Sequence, residues 1–169
     1  RAAEVSPQTI YAIFRSKRGI LAELIEGASF DPGYEALVAQ AMSIADPVEM
    51  LQFAPRIARH IHDAKRAETS FLRGAGVVAP ELAAIEKGLE SRRYEAQKGL
   101  VKRLAKAGRL RHGLDEIAAR DILWAVTGGD LYRMLVVERG WSSDRYQEWL
   151  GSLIGEGLLE KKSRPRRPR

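Results

Sequence analysis

Three times in this chain a helix-capping residue stands directly before a proline: Ser6-Pro7, Asp31-Pro32 and Asp46-Pro47. Proline suits the first position of a helix, where its missing N–H would have no partner in any case. The Ser or Asp oxygen before it accepts from a backbone N–H of the first turn. Ala79-Pro80 repeats the proline without the cap. Behind these starts, apolar residues return at threes and fours: Ile20, Leu21, Leu24, Ile25, then Leu82, Ile85, Leu89, then Leu100, Val101, Leu104. No stretch sustains a period of two, and no Asn-Gly or Asp-Gly hairpin signal occurs. The chain is therefore expected to be all-α. Helices are predicted over 7–14, 17–28, 32–45, 47–65, 67–77, 80–107, 115–138 and 143–159, with 108–114 a loop. Pro55 lies inside the fourth and is expected to kink or split it.

With 169 residues, 45% of them hydrophobic, the chain can build one core of ordinary size and is too apolar to be disordered as a whole. The absence of cysteine excludes disulfide scaffolds, thiolate zinc sites and cysteine nucleophiles. No apolar run approaches the ~20 residues that span a bilayer. Arg1-Ala2-Ala3-Glu4-Val5 is not a signal peptide, so a soluble cytoplasmic protein with no membrane partner is expected.

The net charge of +6 is unevenly placed. The last nine residues, Lys161 to Arg169, hold six Lys/Arg and no acid, and are expected to be a disordered basic tail. Residues 1–19 carry a net of +3 and residues 20–160 a net of −3. A basic end can meet phosphate, whereas the mildly acidic body would not.

Near the C-terminus, Ile122-Leu123-Trp124-Ala125-Val126 is apolar on every side of its helix, and Leu131, Tyr132, Met134, Leu135, Val136 and Val137 follow. Burial all round means one side for the chain's own core and another for a partner. The final helix shows a cleaner stripe, with Gly151, Ser152 and Gly155 beside it to admit a close helix. Two such helices from each of two copies would form a four-helix bundle about a two-fold axis. Leu123, Leu131, Leu135, Tyr146, Trp149, Leu150, Leu153 and Ile154 are the residues expected at that homodimer interface. The alternative is one long core hairpin in a monomer. Gly128-Gly129 interrupts the first of these helices, either as a packing bend or as a kink that opens a cavity. Each glycine costs about 1 kcal/mol of helix stability.

The sharpest local signal is Val5-Ser6-Pro7-Gln8-Thr9-Ile10-Tyr11-Ala12-Ile13-Phe14-Arg15-Ser16-Lys17-Arg18. Ile10 and Phe14, four apart, share the inward face of a two-turn helix, while Gln8 and Ala12 lie opposite with Thr9 and Tyr11 beside them. Ser16 caps the next helix. Lys17 and Arg18 then stand in a first turn whose dipole favours acids, which makes sense where a phosphate binds. A solvated surface pair is the plainer reading.

This run resembles the recognition helix, turn and connecting helix of the TetR family of bacterial transcriptional regulators. The likeness is specific over residues 2–26. The segment from Asp130-Leu131-Tyr132-Arg133 through Trp141 to Trp149-Leu150 also resembles the family's closing helices. The resemblance implies a partial helix-turn-helix DNA-binding head with its connecting helix over 1–28, and a helical ligand-binding and dimerisation domain over 29–160. It also implies a homodimer and a repressor that a small-molecule ligand releases from a near-palindromic operator in double-stranded DNA. Thr9 and Tyr11 match positions that meet DNA in the family, and Lys17 matches a phosphate-contacting lysine. Ser6 would cap and touch phosphate, Gln8 would pair with adenine, and Ala12 would meet a thymine methyl. Arg1-Ala2-Ala3 would end the helix before the recognition helix, so a further N-terminal segment is expected ahead of it. Glu4 stands where the family usually has glycine. If that turn needs a left-handed residue, Glu costs roughly 1–2 kcal/mol there.

Within the body, Phe53, His60, Phe71, Tyr94, Trp124 and Thr127 combine aromatic or polar tips with central helices. They are the candidate ligand-binding residues, and ordinary core is the alternative for each. His60 and His62 are two apart on a helix and do not share a face, so no metal site is expected. No catalytic motif or cofactor loop is present, and neither an enzyme nor a cofactor is expected. Two other functions stay open. One is an all-helical dimeric small-molecule-binding or enzymatic domain without an operator. The other is nonspecific nucleic-acid binding through the Arg-Pro tail, with steep salt dependence and no sequence preference.

Overall fold

Asp31 and Asp46 do what their place before proline predicts. The computed structural model describes residues 31–64, 66 and 80–160, with side chains from residue 87 onward in the last stretch. Helix α1 runs Pro32–Ser43, and Asp31 Oδ1 accepts from the Tyr34 N–H at 2.8 Å. Helix α2 runs Pro47–Leu51, and Asp46 Oδ1 accepts from the Val48 N–H at 2.8 Å. Next come α3, Phe53–Ala64, and α4, Pro80–Lys106. Helix α5, Glu116–Val126, is capped by Asp115 on the Ala118 N–H at 2.8 Å. A short α6, Gly129–Tyr132, passes directly into a π-helical turn, Arg133–Glu138. The final α7, Ser143–Leu158, starts at Ser142, whose Oγ accepts from the Arg145 N–H at 3.2 Å. The described part is thus all-α; its one β-type pairing is an isolated bridge between Leu110 and Leu159. The predicted segments 7–14, 17–28 and 67–77 and the tail 161–169 lie outside the described residues.

Three predicted helices differ from those found. The expected 32–45 stops at Ser43, because Ile44 turns extended and the Arg103 guanidinium of α4 takes the Ile44 and Ala45 carbonyls at 2.8 and 2.6 Å. The expected 47–65 is divided at Gln52. Pro55 then falls in the first turn of α3, where a residue without an N–H loses no helical hydrogen bond. The expected 115–138 is not continuous: it breaks at Thr127-Gly128, resumes as one α-helical turn and then passes into a π-helical one.

Helix α4 packs on α5, α7 packs on both α3 and α5, and α1 lies on α3. The core forms where they meet, from Leu51, Val101, Leu104, Ala119, Leu123, Val136, Tyr146, Leu150, Ile154 and Leu158. In α7 the buried residues recur every fourth position, which keeps them on one face. Each such Leu or Ile contributes roughly 1.5–3 kcal/mol by leaving water. Among the described residues no helix is long and apolar enough to cross a membrane.

This packing corrects part of the expected dimer surface. Leu123, Tyr146, Leu150 and Ile154 are buried inside the single chain and have no surface left for a partner. Leu131, Leu135, Trp149 and Leu153 lean on the same core but remain partly exposed. The large apolar side chains turned outward on this side of the sequence are Ile117, Met134 and Val137. The stripe of α7 read as intermolecular is therefore mostly intramolecular, because α3 and α5 already cover it.

Candidate functional site

The break after α5 exposes the end of a helix inside the fold, and carbonyls there need donors. The chain supplies them from three directions. Thr127 donates its own hydroxyl back to the Leu123 carbonyl at 2.7 Å. Arg93 of α4 donates to the Trp124 carbonyl at 2.6 Å and to Thr127 Oγ1 at 2.8 Å. Gln97, one turn along α4, donates its amide N–H to the same hydroxyl oxygen at 3.0 Å. His62 of α3 lies with Nε2 3.0 Å from the Thr127 carbonyl. A carbonyl can only accept, so His62 carries its proton on Nε2. The Arg93 guanidinium, a cation at a helix C-terminus, also suits the dipole. Gly128 fits because a Cβ there would come within 3.2 Å of the Ala125 carbonyl.

Aromatic rings wall this polar node. The Arg93 guanidinium lies over the Trp124 ring at 5.2 Å, and Tyr94 meets Trp124 edge to face. Tyr132 packs against His62 on one side and edge to face against Tyr146 on the other. Among the described residues, three buried side-chain atoms lack a hydrogen-bond partner: Gln97 Oε1, Trp124 Nε1 and Tyr146 OH. Such groups are rare in folded chains, and each costs about 1–3 kcal/mol. Burial, with the neighbouring Tyr132, pushes the Tyr146 phenol well above its ordinary pKa, so it stays protonated and able to donate. The charge of Arg93 is balanced by Glu90 on the preceding turn of α4.

Of the predicted ligand residues, Tyr94, Trp124 and Thr127 come together at this node. Tyr94 points its hydroxyl to the rim, donating to Asp121 at 2.7 Å beneath Arg120. Phe53 and His60 go elsewhere. Phe53 lies under Arg56 at the start of α3, and His60 sits 2.7 Å from Asp31 Oδ1, tying α3 to the beginning of α1. Phe71 lies outside the described residues, as do all the predicted DNA contacts, Ser6, Gln8, Thr9, Tyr11, Ala12 and Lys17. Sequence reasoning missed Arg93, Gln97 and His62. Their signal, polar side chains on the inner faces of their helices, emerges only once the helices are packed. Tyr146 was expected to face a partner and instead faces this interior.

A second polar junction lies beside the first. The Asp63 carboxylate, near the end of α3, accepts from Tyr132 OH at 2.5 Å, Ser143 Oγ at 2.6 Å and Arg59 Nε at 3.2 Å. Desolvation raises its pKa, but the bonds from Ser143, Tyr132 and Arg59 outweigh that and hold it below the usual range. A separate groove of about 410 Å³ opens between α3 and α7, with Arg56, Gln147 and Glu148 among its walls and none of the predicted ligand residues. Among the described residues no group of three or more His, Asp or Glu is placed to hold a metal. Comparison with known proteins finds no matching family model and no matching curated protein.

Proposed function

We propose that the chain belongs to a dimeric, sequence-specific DNA-binding regulator of transcription, a cytoplasmic repressor controlled by a small molecule. The observation that carries this reading is the run Val5 to Arg18 in the sequence, with the apolar Ile10 and Phe14 four apart, the polar or small Gln8, Thr9, Tyr11 and Ala12 between and before them, and Lys17 following Ser16. Support comes from the all-α body behind it and from the aromatic-walled polar node in that body. In such a regulator a homodimer sets two recognition helices about 34–36 Å apart, or a multiple of that, and so calls for a near-palindromic operator. The partly exposed Leu131, Leu135, Trp149 and Leu153, with Met134 and Val137, are the groups a second copy would cover. The ligand shifts the two heads only by as much as it binds one arrangement better than the other.

The test is selection of DNA from a random duplex pool at physiological salt, using the full-length protein. An enriched palindrome whose binding is lost in Tyr11→Ala or Lys17→Ala, with the dimer intact, supports the reading. No enrichment, or binding that fades with salt whatever the sequence, refutes it. The polar node favours a second reading in that event, a helical small-molecule-binding domain with no operator.

A further inference from the structure

The groove between α3 and α7 holds two opposite charges that do not meet. On the α3 side stands the Arg56 guanidinium, which lies 4.6 Å over the ring of Phe53 one turn back. On the α7 side stands the Glu148 carboxylate. Both line one space of about 410 Å³, a volume in the range of small-molecule sites. Among the described residues neither side chain makes an ion pair or a hydrogen bond. Arg59, three residues along the same helix, is by contrast paired with both Asp63 and Asp144. The polar groups beside the two charges extend their chemistry. Gln52 brings free amide N–H donors to the α3 side. Gln147 has its Oε1 taken by Arg59 at 3.4 Å, which leaves its amide N–H groups as further donors. Ser152 donates its proton to the Glu148 carbonyl at 3.2 Å, so toward the groove its oxygen accepts. Pro55 and Gly151 also line the space, and a Cβ on Gly151 would lie 3.6 Å from Pro55 Cγ, so the glycine leaves that stretch of wall without a side chain.

We propose that this groove binds a small zwitterion of dipeptide size, with its carboxylate on Arg56 and the amide donors and its ammonium on Glu148 and the Ser152 oxygen. A singly charged ligand leaves one of the two groove charges unmatched, whereas a zwitterion matches both. Arg56 and Glu148 do not touch, so the charges of the ligand must also stand apart. A two-residue peptide separates its ends by at most about 7 Å. The site lies apart from the polar node, and its binding does not rest on the regulator reading.

The test uses the full chain labelled with ¹⁵N, at low salt, titrated to millimolar concentration with L-alanyl-L-alanine. N-acetyl-L-alanyl-L-alanine lacks the ammonium and L-alanyl-L-alanine amide lacks the carboxylate, so these two serve as singly charged controls of similar size. The readout is the backbone N–H resonance of Gly151, assigned by its disappearance in Gly151→Ala, where the added methyl makes only an ordinary contact. The expected result is a saturable shift with the dipeptide and a much smaller one with either control. Arg56→Gln and Glu148→Gln should each weaken the dipeptide by roughly 5- to 10-fold, less than a buried charged hydrogen bond is worth because both side chains are exposed. Exposure also means that both variants keep the fold, and their melting temperatures verify that. Failure of the dipeptide to give a saturable shift at Gly151 overturns the proposal. So does an equal shift with either control, or unchanged affinity in both variants. Operator selection on the same preparation separates the two ideas. A chain that enriches a palindrome but ignores the dipeptide loses this inference alone. One that binds the dipeptide at Gly151 but enriches no sequence keeps it and loses the regulator reading.

Discussion

Replacing Thr127 with valine keeps the branched shape of the side chain, and with it the rotamer preference, while deleting one oxygen. That oxygen donates to the Leu123 carbonyl and accepts from Arg93 and Gln97. The carbonyl keeps the Thr127 N–H at 3.1 Å, and Arg93 keeps the Trp124 carbonyl and Glu90, so neither is orphaned. Gln97 fares worse. Its carbonyl oxygen already lacks a partner, and the substitution leaves its N–H groups without the Thr127 oxygen as well. One newly unsatisfied amide together with one lost charge-assisted bond costs about 2–4 kcal/mol. Urea unfolding followed by far-UV circular dichroism reads this directly. With a slope of about 2 kcal/mol/M the midpoint falls by about 1–2 M. Thr127→Ser keeps the oxygen and loses only a methyl, and should cost about 1 kcal/mol. The reasoning is refuted if the valine variant lies within about 0.5 kcal/mol of the parent chain, or if serine costs as much as valine.

Three further outcomes follow from the same structure. Asp63→Asn should cost about 1 kcal/mol at pH 7, a small value because the carboxylate is partly exposed. Since the folded pKa of Asp63 is depressed, its contribution is whole above the unfolded value of about 3.9 and fades as pH falls from there through the folded value. Denaturation curves of parent and variant should therefore converge below about pH 4; a constant gap across pH 2–6 contradicts the assignment. Leu123→Ala should destabilise by about 2.7–5 kcal/mol, as cavities at fully buried leucines do. Under folding conditions it should leave the self-association constant measured by sedimentation unchanged, and a shifted constant would place Leu123 at a partner surface after all. Tyr146→Phe should be neutral or stabilising by up to about 1 kcal/mol, since its hydroxyl is buried without a protein partner; a loss of more than that in thermal melts would reveal a bond to this hydroxyl.

The proline-marked helix starts at Pro32 and Pro47 were legible in the sequence and the ends of α1 and α5 were not, for a physical reason. A start is capped locally: Asp31 and Asp46 serve N–H groups two or three residues on, within the window any reading uses. The ends of α1 and α5 are closed by Arg103 and Arg93, which lie 59 and 31 residues away from the carbonyls they serve at Ile44 and Trp124. The Gly128-Gly129 pair signalled an irregularity, but whether it bends or breaks the helix depends on those distant donors. The same limit governs the candidate site. Trp124 and Thr127, three apart in sequence, are both among the six candidates the sequence offers, while Arg93 and Gln97 from α4 and Tyr146 from α7 join them only through packing. The apolar stripe of α7 was read correctly as a stripe; which surface covers it is a property of tertiary arrangement, and here α3 and α5 cover it from within the chain.

Both distant caps stand on the same rod. Arg93 and Arg103 are ten residues apart in α4, about 15 Å along its axis. A rigid helix cannot slide or turn under one of them without moving the other. Any displacement of α4 that draws Arg93 away from the Trp124 carbonyl also draws Arg103 from the carbonyls of Ile44 and Ala45. The C-terminal ends of α1 and α5, which share no direct polar contact through these groups, would thus fray or tighten in step, like two pins on a single bolt.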